Sequence, residues 1–475
     1  MATSITNQNV PLIHRKEFQM MTPAPLNSAA GSFVVTDQDE VDNLALYMVN
    51  ATTHYLYHHD EDAWIQVVSG ALAGTFGAGS CGAAARWSTT ITSNGGSTST
   101  VTTTTPVSGL CVGRTIRFLS GANIGLESTI TGLSIIPGGT TTIEFTALPN
   151  AVLTGVTFTI ATRRYYVWNG GTAASGSFKN YDPLLGVWTT LNVTGGPTSF
   201  LTDGKLVSTP GKDIFASGTA TSVTTTTIVN AAKTWTPNQW CNYQIRITAG
   251  TGIGQIRTIV SNTATALTVA TWTTTPDATS QYEITGNDDF LYLLGNNAAT
   301  MYRYSISANS WTTLAPTTAR TGGPGTGMSA NWISKTGESF WSNESDIRDG
   351  RYIYSFRGAA GGLLDRYDIS GGTAGAGAWL AINYINLLET FTTGSSYAAD
   401  NRYIYIRKEA TGRFFKYSIR GNYIEPLTTN MYPESTPVIG DKIWLRKYEE
   451  GSTTKLVWLY AIQNTSNILH RILLY

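Results

Sequence analysis

The chain has 475 residues, enough for one large domain or several ordinary ones, and its 31 Lys plus Arg balance its 31 Asp plus Glu. A net charge of zero excludes the electrostatic footprint of a nucleic-acid binder or a membrane-surface protein. Only 13% of residues are charged while Gly, Thr, Ser and Tyr abound, a balance that favours strands and tight turns over helices. No apolar run of secretory length opens the sequence, and nothing later approaches the ~18 apolar residues of a membrane span. The expectation is a protein made in the cytosol that leaves it only as part of something larger.

Residues 1–40 open with a polar segment holding Pro11, Pro23 and Pro25. They read as an extended arm that orders on a partner, because proline blocks a helix and lowers the entropy lost on docking. From residue 41 a phrase begins to repeat. A strand, "NLALYMV" (43–49), precedes "YHHDEDAW", in which Tyr57 and Trp64 stand seven apart. The spacing returns at Tyr181 and Trp188, at Tyr304 and Trp311, and at Tyr417 and Ile424. It lengthens at Tyr367 and Trp379 around a glycine-rich loop, and a looser last copy starts at Tyr460 and ends at Ile468. Seven residues suit two antiparallel strands joined by a short loop, with both aromatics on one buried face. Further strands precede the later copies: "RRYYVW" (163–168), "DDFLYLLG" (288–295), "GRYIYSFRG" (350–358), "NRYIYIRKE" (401–409) and "DKIWLRKY" (441–448).

Two inserts interrupt this series, since Trp64 to Trp188 spans 124 residues and Trp188 to Trp311 spans 123. The added material is self-similar: Ile116-Arg117 aligns with Ile245-Arg246, and Ile124-Gly125 with Ile253-Gly254. The resulting division is an arm (1–40), a first repeat part (41–84), an inserted β module (85–162), a second repeat part (163–215), a second module (216–286) and the remaining repeats (287–475).

With a strand, a hairpin and an aromatic pair in each of about six units, and final intervals of 45 and 44 residues, the sequence resembles the kelch β-propeller family. The resemblance rests on the Tyr-to-Trp spacing and on Gly170, Gly171, Gly295 and Gly358 after the preceding strands. It implies an all-β, kelch-like propeller of about six blades carrying the two modules and the arm.

Candidate chemistry is sparse. "HHDED" (His58, His59, Asp60, Glu61, Asp62) reads as a solvated turn, because adjacent hairpin side chains point apart. "SNESDIRDGRY" groups Glu344, Asp346 and Asp349 without the acidic spacing of a calcium loop. "GTGIGQIR" (250–257) is a β-turn rather than a phosphate loop, for no helix follows it. Cys81, Cys111 and Cys241 read as buried thiols lying in or beside the inserts. No catalytic, cofactor-binding or metal-ligating residue is assigned, and no cofactor is expected.

The Thr/Gly-rich tandem modules and the opening "NVPLIHRKEF…MTPAP…AAGSFVVTD" look like structural proteins of tailed-phage virions. That resemblance implies a non-enzymatic component of the capsid, neck or tail. Its partners would be other virion proteins and other copies of itself, with neither nucleic acid nor membrane. The alternative is a carbohydrate-binding adhesin that presents Trp and Tyr platforms on blade or insert loops to surface glycans; a glycan-acting enzyme on the propeller axis is a third reading.

Overall fold

The structure, a computed structural model, describes residues 19–28, 31–36, 44–50, 52–67, 80–86, 90–170, 176–198, 205–208, 214–294, 300–318, 320, 325–330, 351–357, 363–372, 375–383, 391, 395–399, 402–408, 413–428, 442–450, 454–463 and 466–474. These residues form strands and turns with no α-helix, and none of their helical segments is long and apolar enough to cross a membrane.

Six of the sheets are four-stranded and antiparallel. The first comprises Phe33–Thr36, Leu44–Met48, His54–His58 and Ala63–Gln66. The second joins Cys81–Arg86, Arg163–Trp168, Phe178–Asp182 and Val187–Thr190. The third is built from Lys205–Ser208, Phe290–Leu294, Met301–Ser305 and Ser310–Leu314. Gly325–Ala330, Tyr352–Arg357, Leu363–Asp368 and Ala378–Asn383 make the fourth, and Ser396–Ala399, Tyr403–Arg407, Phe414–Ser418 and Tyr423–Thr428 the fifth. The sixth takes Ile443–Glu450, Thr454–Ile462 and Leu469–Leu473 from one end of the chain and Gln19–Met20 from the other. The six inner strands lie beside one another in this order, and the last touches the first. The arrangement is a β-propeller.

Each gap between sheets is filled by a buried cluster drawn from both neighbours. Tyr165 and Val167 face the first sheet, whereas Tyr166 and Trp168, one residue out of phase, face the third. In the same way Leu291 and Leu293 pack toward the second sheet while Tyr292 and Leu294 pack toward the fourth. Successive strand side chains point to opposite faces, so a strand buried on both faces needs the unbroken apolar runs found at "YYVW" (165–168) and "FLYLL" (290–294). Trp444, Trp458 and Tyr460 meet Tyr47 and Tyr57 where the sixth sheet returns to the first.

Both inserts leave from the same corner, between the inner and second strands of their sheets. In the first, Ile91–Gly96, Thr100–Thr103, Thr115–Phe118, Glu127–Ile135, Thr141–Phe145 and Thr154–Ile160 close into a six-stranded barrel. The second insert repeats that pairing order with Thr227–Val229, Gln244–Ala249, Ile256–Asn262, Ala266–Val269 and Gln281–Thr285. Its opening strand is split into Ile214–Thr219 and Ser222–Val223, so its sheet stays open at that point. Cores of Ile116, Phe118, Ile143 and Phe158 in one module, and Ile245, Ile247, Leu267 and Ile284 in the other, occupy corresponding strands.

Three expectations need correction. Residues 19–36 are not arm: Gln19 and Met20 pair with Arg471 and His470, and Phe33–Thr36 is the inner strand of the first sheet. Pro23 and Pro25 fit because the backbone N–H donors of this segment are Met21, Thr22, Ala24 and Ser28, so an edge position spares the proline nitrogens. Residues 1–18 lie outside the described set. The first module starts beyond Arg86 rather than at 85, and the second includes Ile214. In the sixth sheet "DKIWLRKY" is the inner strand, and Tyr460 on the second strand pairs with Arg471, not Ile468. Cys81 begins the inner strand that leads into the first module, and it packs into the gap that holds Trp168.

Candidate functional site

The repeated aromatic pairs are cross-strand partners on the third and fourth strands of their sheets. Tyr57 opposes Trp64, Tyr181 opposes Trp188, Tyr304 opposes Trp311, Tyr367 opposes Trp379, and Tyr417 opposes Ile424. Ring centroids are 4.8 Å apart in the first pair, 5.2 Å in the second and 5.1 Å in the third and fourth, tilted as the quadrupoles of two aromatic faces prefer. Tyr57, Tyr181, Tyr304, Trp311, Tyr367, Trp379, Tyr417, Ile424 and Tyr460 are buried, while Trp64 and Trp188 are half-buried.

A further residue acts in each hairpin. Two positions before the outer Trp or Ile stand Asp62, Gly186, Asn309, Gly377 and Asn422, all with positive φ. Asp, Asn and Gly tolerate this left-handed backbone best. The signal is legible in the sequence as Asp/Asn/Gly, any residue, then Trp or Ile.

Where this residue carries a side chain, it fastens one sheet to the sheet before it. The Tyr57 hydroxyl donates to Asp62 Oδ1 at 2.6 Å, and the Asp62 carboxylate also accepts the Thr22 N–H at 3.0 Å and the Thr22 hydroxyl at 2.9 Å. Trp64 Nε1 donates to the Thr22 carbonyl at 3.0 Å. In the third sheet Tyr304 donates to Asn309 Oδ1 at 2.6 Å, Asn309 Oδ1 accepts the Asn192 N–H at 2.9 Å, and Trp311 Nε1 donates to the Asn192 carbonyl at 3.0 Å. Thr22 and Asn192 each stand two residues beyond the outer strand of the preceding sheet. In the fifth sheet the indole donor is lost to Ile424, and Asn422 Nδ2 itself donates to the Asn383 carbonyl at 2.7 Å. Chemically, the device grips an extended backbone: a carboxylate or amide oxygen takes its N–H, and an N–H donor takes its carbonyl.

The acidic turn therefore does more than contact water. Asp60 and Glu61 are exposed, but His59 is buried and its Nε2 accepts the Trp444 indole N–H at 2.9 Å. At 250–257 the expected turn is present, with Gly250, Gly252 and Gly254 all at positive φ. The three cysteines form no disulfide and are buried, and burial raises the Cys241 thiol to about 11. Glu344, Asp346 and Asp349 lie outside the described residues. Among the described residues no three His, Cys, Asp or Glu side chains converge as metal ligands.

The modules are fixed to the ring by hairpin tips. Leu184, from the Pro-Leu-Leu-Gly tip of the second sheet, is buried in the core of the first module, and its carbonyl accepts the Ser108 N–H at 2.8 Å. Asn242 of the second module donates to the Ile369 and Gly375 carbonyls, at 2.6 and 3.1 Å, in the lengthened loop of the fourth sheet. That glycine-rich extension of the Tyr367–Trp379 hairpin is thus a socket for the module. The modules also meet each other at equivalent turns. A Cβ on Gly125 would stand 2.1 Å from Gly254 Cα, so both glycines are needed for the approach. Glu127 accepts from Arg117 at 2.8 Å and from Arg246, the matching arginine of the other module, at 2.9 Å. Arg246 Nη2 also donates to the Gly125 carbonyl.

No protein-family model matches the chain, and no curated protein matches it. Among solved structures it is similar to the β-propeller domain of Cps50 (Swd1) of Myceliophteria thermophila, at 6% identity over 95% of this chain and 98% of that one, with a TM-score of 0.36. It is also similar to U3-55K, at 8% identity over 96% and 98% with a TM-score of 0.35. The WD40 repeats of RRP9 align at 10% identity over 96% and 100%, with a TM-score of 0.33.

Proposed function

We propose that this chain is a non-enzymatic structural component of a tailed-phage virion, a six-bladed, kelch-like propeller that assembles through its N-terminal residues and its surface. The observation that carries the reading is the joined pair of modules. Two copies of one small β module are pinned to hairpin tips by Leu184 and Asn242 and braced against each other at Gly125, Gly254 and Glu127. Such a chain invests its inserts in one rigid projection from one face of the ring, which suits interlocking contacts between subunits. The aromatic-rich composition supports it too, because the Tyr and Trp of the repeats are used in packing between sheets. Trp235, Trp240 and Trp272 of the second module are likewise core residues, which removes them as sugar platforms.

Mass spectrometry of purified virions from the source tests this reading. A fixed copy number per particle is expected, and absence from particles would overturn it. Deleting residues 1–18 should leave the ring folded and abolish incorporation; a deletion reaching residue 28 would also remove the outer strand of the sixth sheet and answer a different question.

A further inference from the structure

The gap between the sixth and first sheets differs from the others in what the hairpin grips. Asn309 and Asn422 hold backbone that continues directly from the outer strand of the preceding sheet, at Asn192 and Asn383. Asp62 and Trp64 hold Thr22, whose segment reaches the sixth sheet from the far end of the chain. Residues 19–28 lie along an acceptor made of the Leu469–Leu473 edge, Ser466, Asn467 and the Asp62–Trp64 hairpin. Met21, Ala24 and Ser28 donate backbone N–H to the carbonyls of Leu469, Asn467 and Ser466, at 2.9, 2.7 and 2.8 Å. Asn467 Nδ2 donates to the Ala24 carbonyl at 2.9 Å. Ala24 is buried in the cluster formed with Trp444, Trp458 and Tyr460.

We infer that this acceptor is an exchange site, in which residues 19–28 of a second copy of this chain replace the resident segment. Every contact named above is made to other parts of the fold, so the same set forms when the segment comes from a neighbouring copy. Among the described residues two ladder pairs, Gln19 with Arg471 and Met20 with His470, hold the strand itself. The segment also leaves Met20 and Leu26 exposed, at 69% and 42%, on the outside of the ring, apolar surface that an adjoining copy covers. The partner is therefore a second copy contributing a strand, with main-chain hydrogen bonds supplying affinity and the Thr22 and Ala24 positions supplying specificity. The inference rests on the assembly reading for its setting, but its chemistry is tested in solution without virions.

Met20 and His470 form the close, non-hydrogen-bonded kind of antiparallel pair, because the neighbouring Met21 N–H bonds Leu469. Their separation of about 4.5 Å suits a disulfide. Full-length Met20→Cys and His470→Cys chains are mixed, incubated until hydrogen exchange at Met21, Ala24 and Ser28 shows that the segment has opened, and oxidised. The Met20→Cys/His470→Cys double variant serves as the within-chain control. The expected result is a covalent dimer in the mixture, at least tenfold above either variant alone, suppressed by excess synthetic peptide covering residues 17–30. Monomer alone in the mixture, with the double variant cross-linking within its own chain, would overturn the exchange. If virions nevertheless contain the protein, that outcome leaves the structural-component reading standing and removes only this one.

Discussion

Asn309 holds Asn192 across the boundary between the second and third sheets: one side-chain oxygen accepts the Asn192 N–H at 2.9 Å while receiving the Tyr304 hydroxyl at 2.6 Å. Trp311 completes the grip by donating to the Asn192 carbonyl. In the first, third and fifth sheets the tyrosine thus orients the residue that binds the neighbouring sheet, which explains a tyrosine there where phenylalanine would fill the same volume.

Tyr304→Phe should cost about 1 kcal/mol, the value of one lost internal hydrogen bond. Asn309→Ala should cost more, about 2–4 kcal/mol, since it strands two donors and places alanine at φ 46°. Urea unfolding of the two single variants and the double variant should show less than additive losses, because both act on one oxygen. Strict additivity would mean that the tyrosine does not orient the asparagine.

Trp311 is buried among Tyr304, Phe178 and Trp168, with centroids 5.1, 5.1 and 5.5 Å away. Trp311→Ala should cost about 3–5 kcal/mol by opening a cavity between two sheets. Trp188 is half-buried, so Trp188→Ala should cost only about 1–2 kcal/mol. Equal losses in the two variants would contradict the difference in their packing.

His54 is fully buried against Trp188, 5.0 Å between ring centroids, and burial lowers its pKa to about 4, with Lys179 adding to the effect. The unfolded chain binds the proton near pH 6.5 and the folded chain only near 4, so stability is complete above pH 6.5 and declines as pH falls toward 4. The loss should reach about 3 kcal/mol and be accompanied by a change in Trp188 fluorescence. His54→Leu should flatten this part of the stability profile; an unchanged slope would place the acid sensitivity elsewhere.

Gly254→Ala would set a Cβ 2.8 Å from Gly125 Cα at a backbone φ of 84°. The modules should part at residues 119–126 and 250–255 while both cores stay folded. Faster hydrogen exchange confined to these turns is the expected readout, and Glu127→Gln should act in the same direction by weakening its hold on Arg246. Exchange spreading through Ile116, Phe118 and Phe158 would show instead that the contact supports the barrel itself.

The aromatic pairs are legible in the sequence because a gap of seven is a local property, set by hairpin length and strand alternation. The positive-φ residue is equally local, yet it hides behind its own variety, appearing as Asp62, Gly186, Asn309, Gly377 and Asn422. What it grips is not local at all: nothing near Asp62 points to Thr22, and nothing near Asn309 points to Asn192. The repeat of the modules is open to alignment, whereas the meeting of Gly125 with Gly254 depends on how the sheets orient two separate modules. Residues 19–28 resemble a free arm since two ladder pairs and two prolines leave no alternating pattern to read. The same segment shifts the reading of the sixth sheet, because a sheet that borrows its outer strand contains one repeat strand fewer than the spacing suggests.

That borrowed strand has a consequence for synthesis. Gln19 and Arg471 are 452 residues apart in sequence, so the contact that closes the ring is among the least local the chain makes. Loop closure over such a span carries a large entropic cost, and the partner edge does not exist until Leu469–Leu473 has left the ribosome. Throughout translation residues 19–28 must wait beside a first sheet whose Tyr47 and Tyr57 face an unfilled gap. The nascent chain therefore carries an exposed aromatic surface from its earliest sheet until the sixth sheet has been made, and the emergence of Leu469–Leu473, rather than any shorter length, is when that surface is first covered.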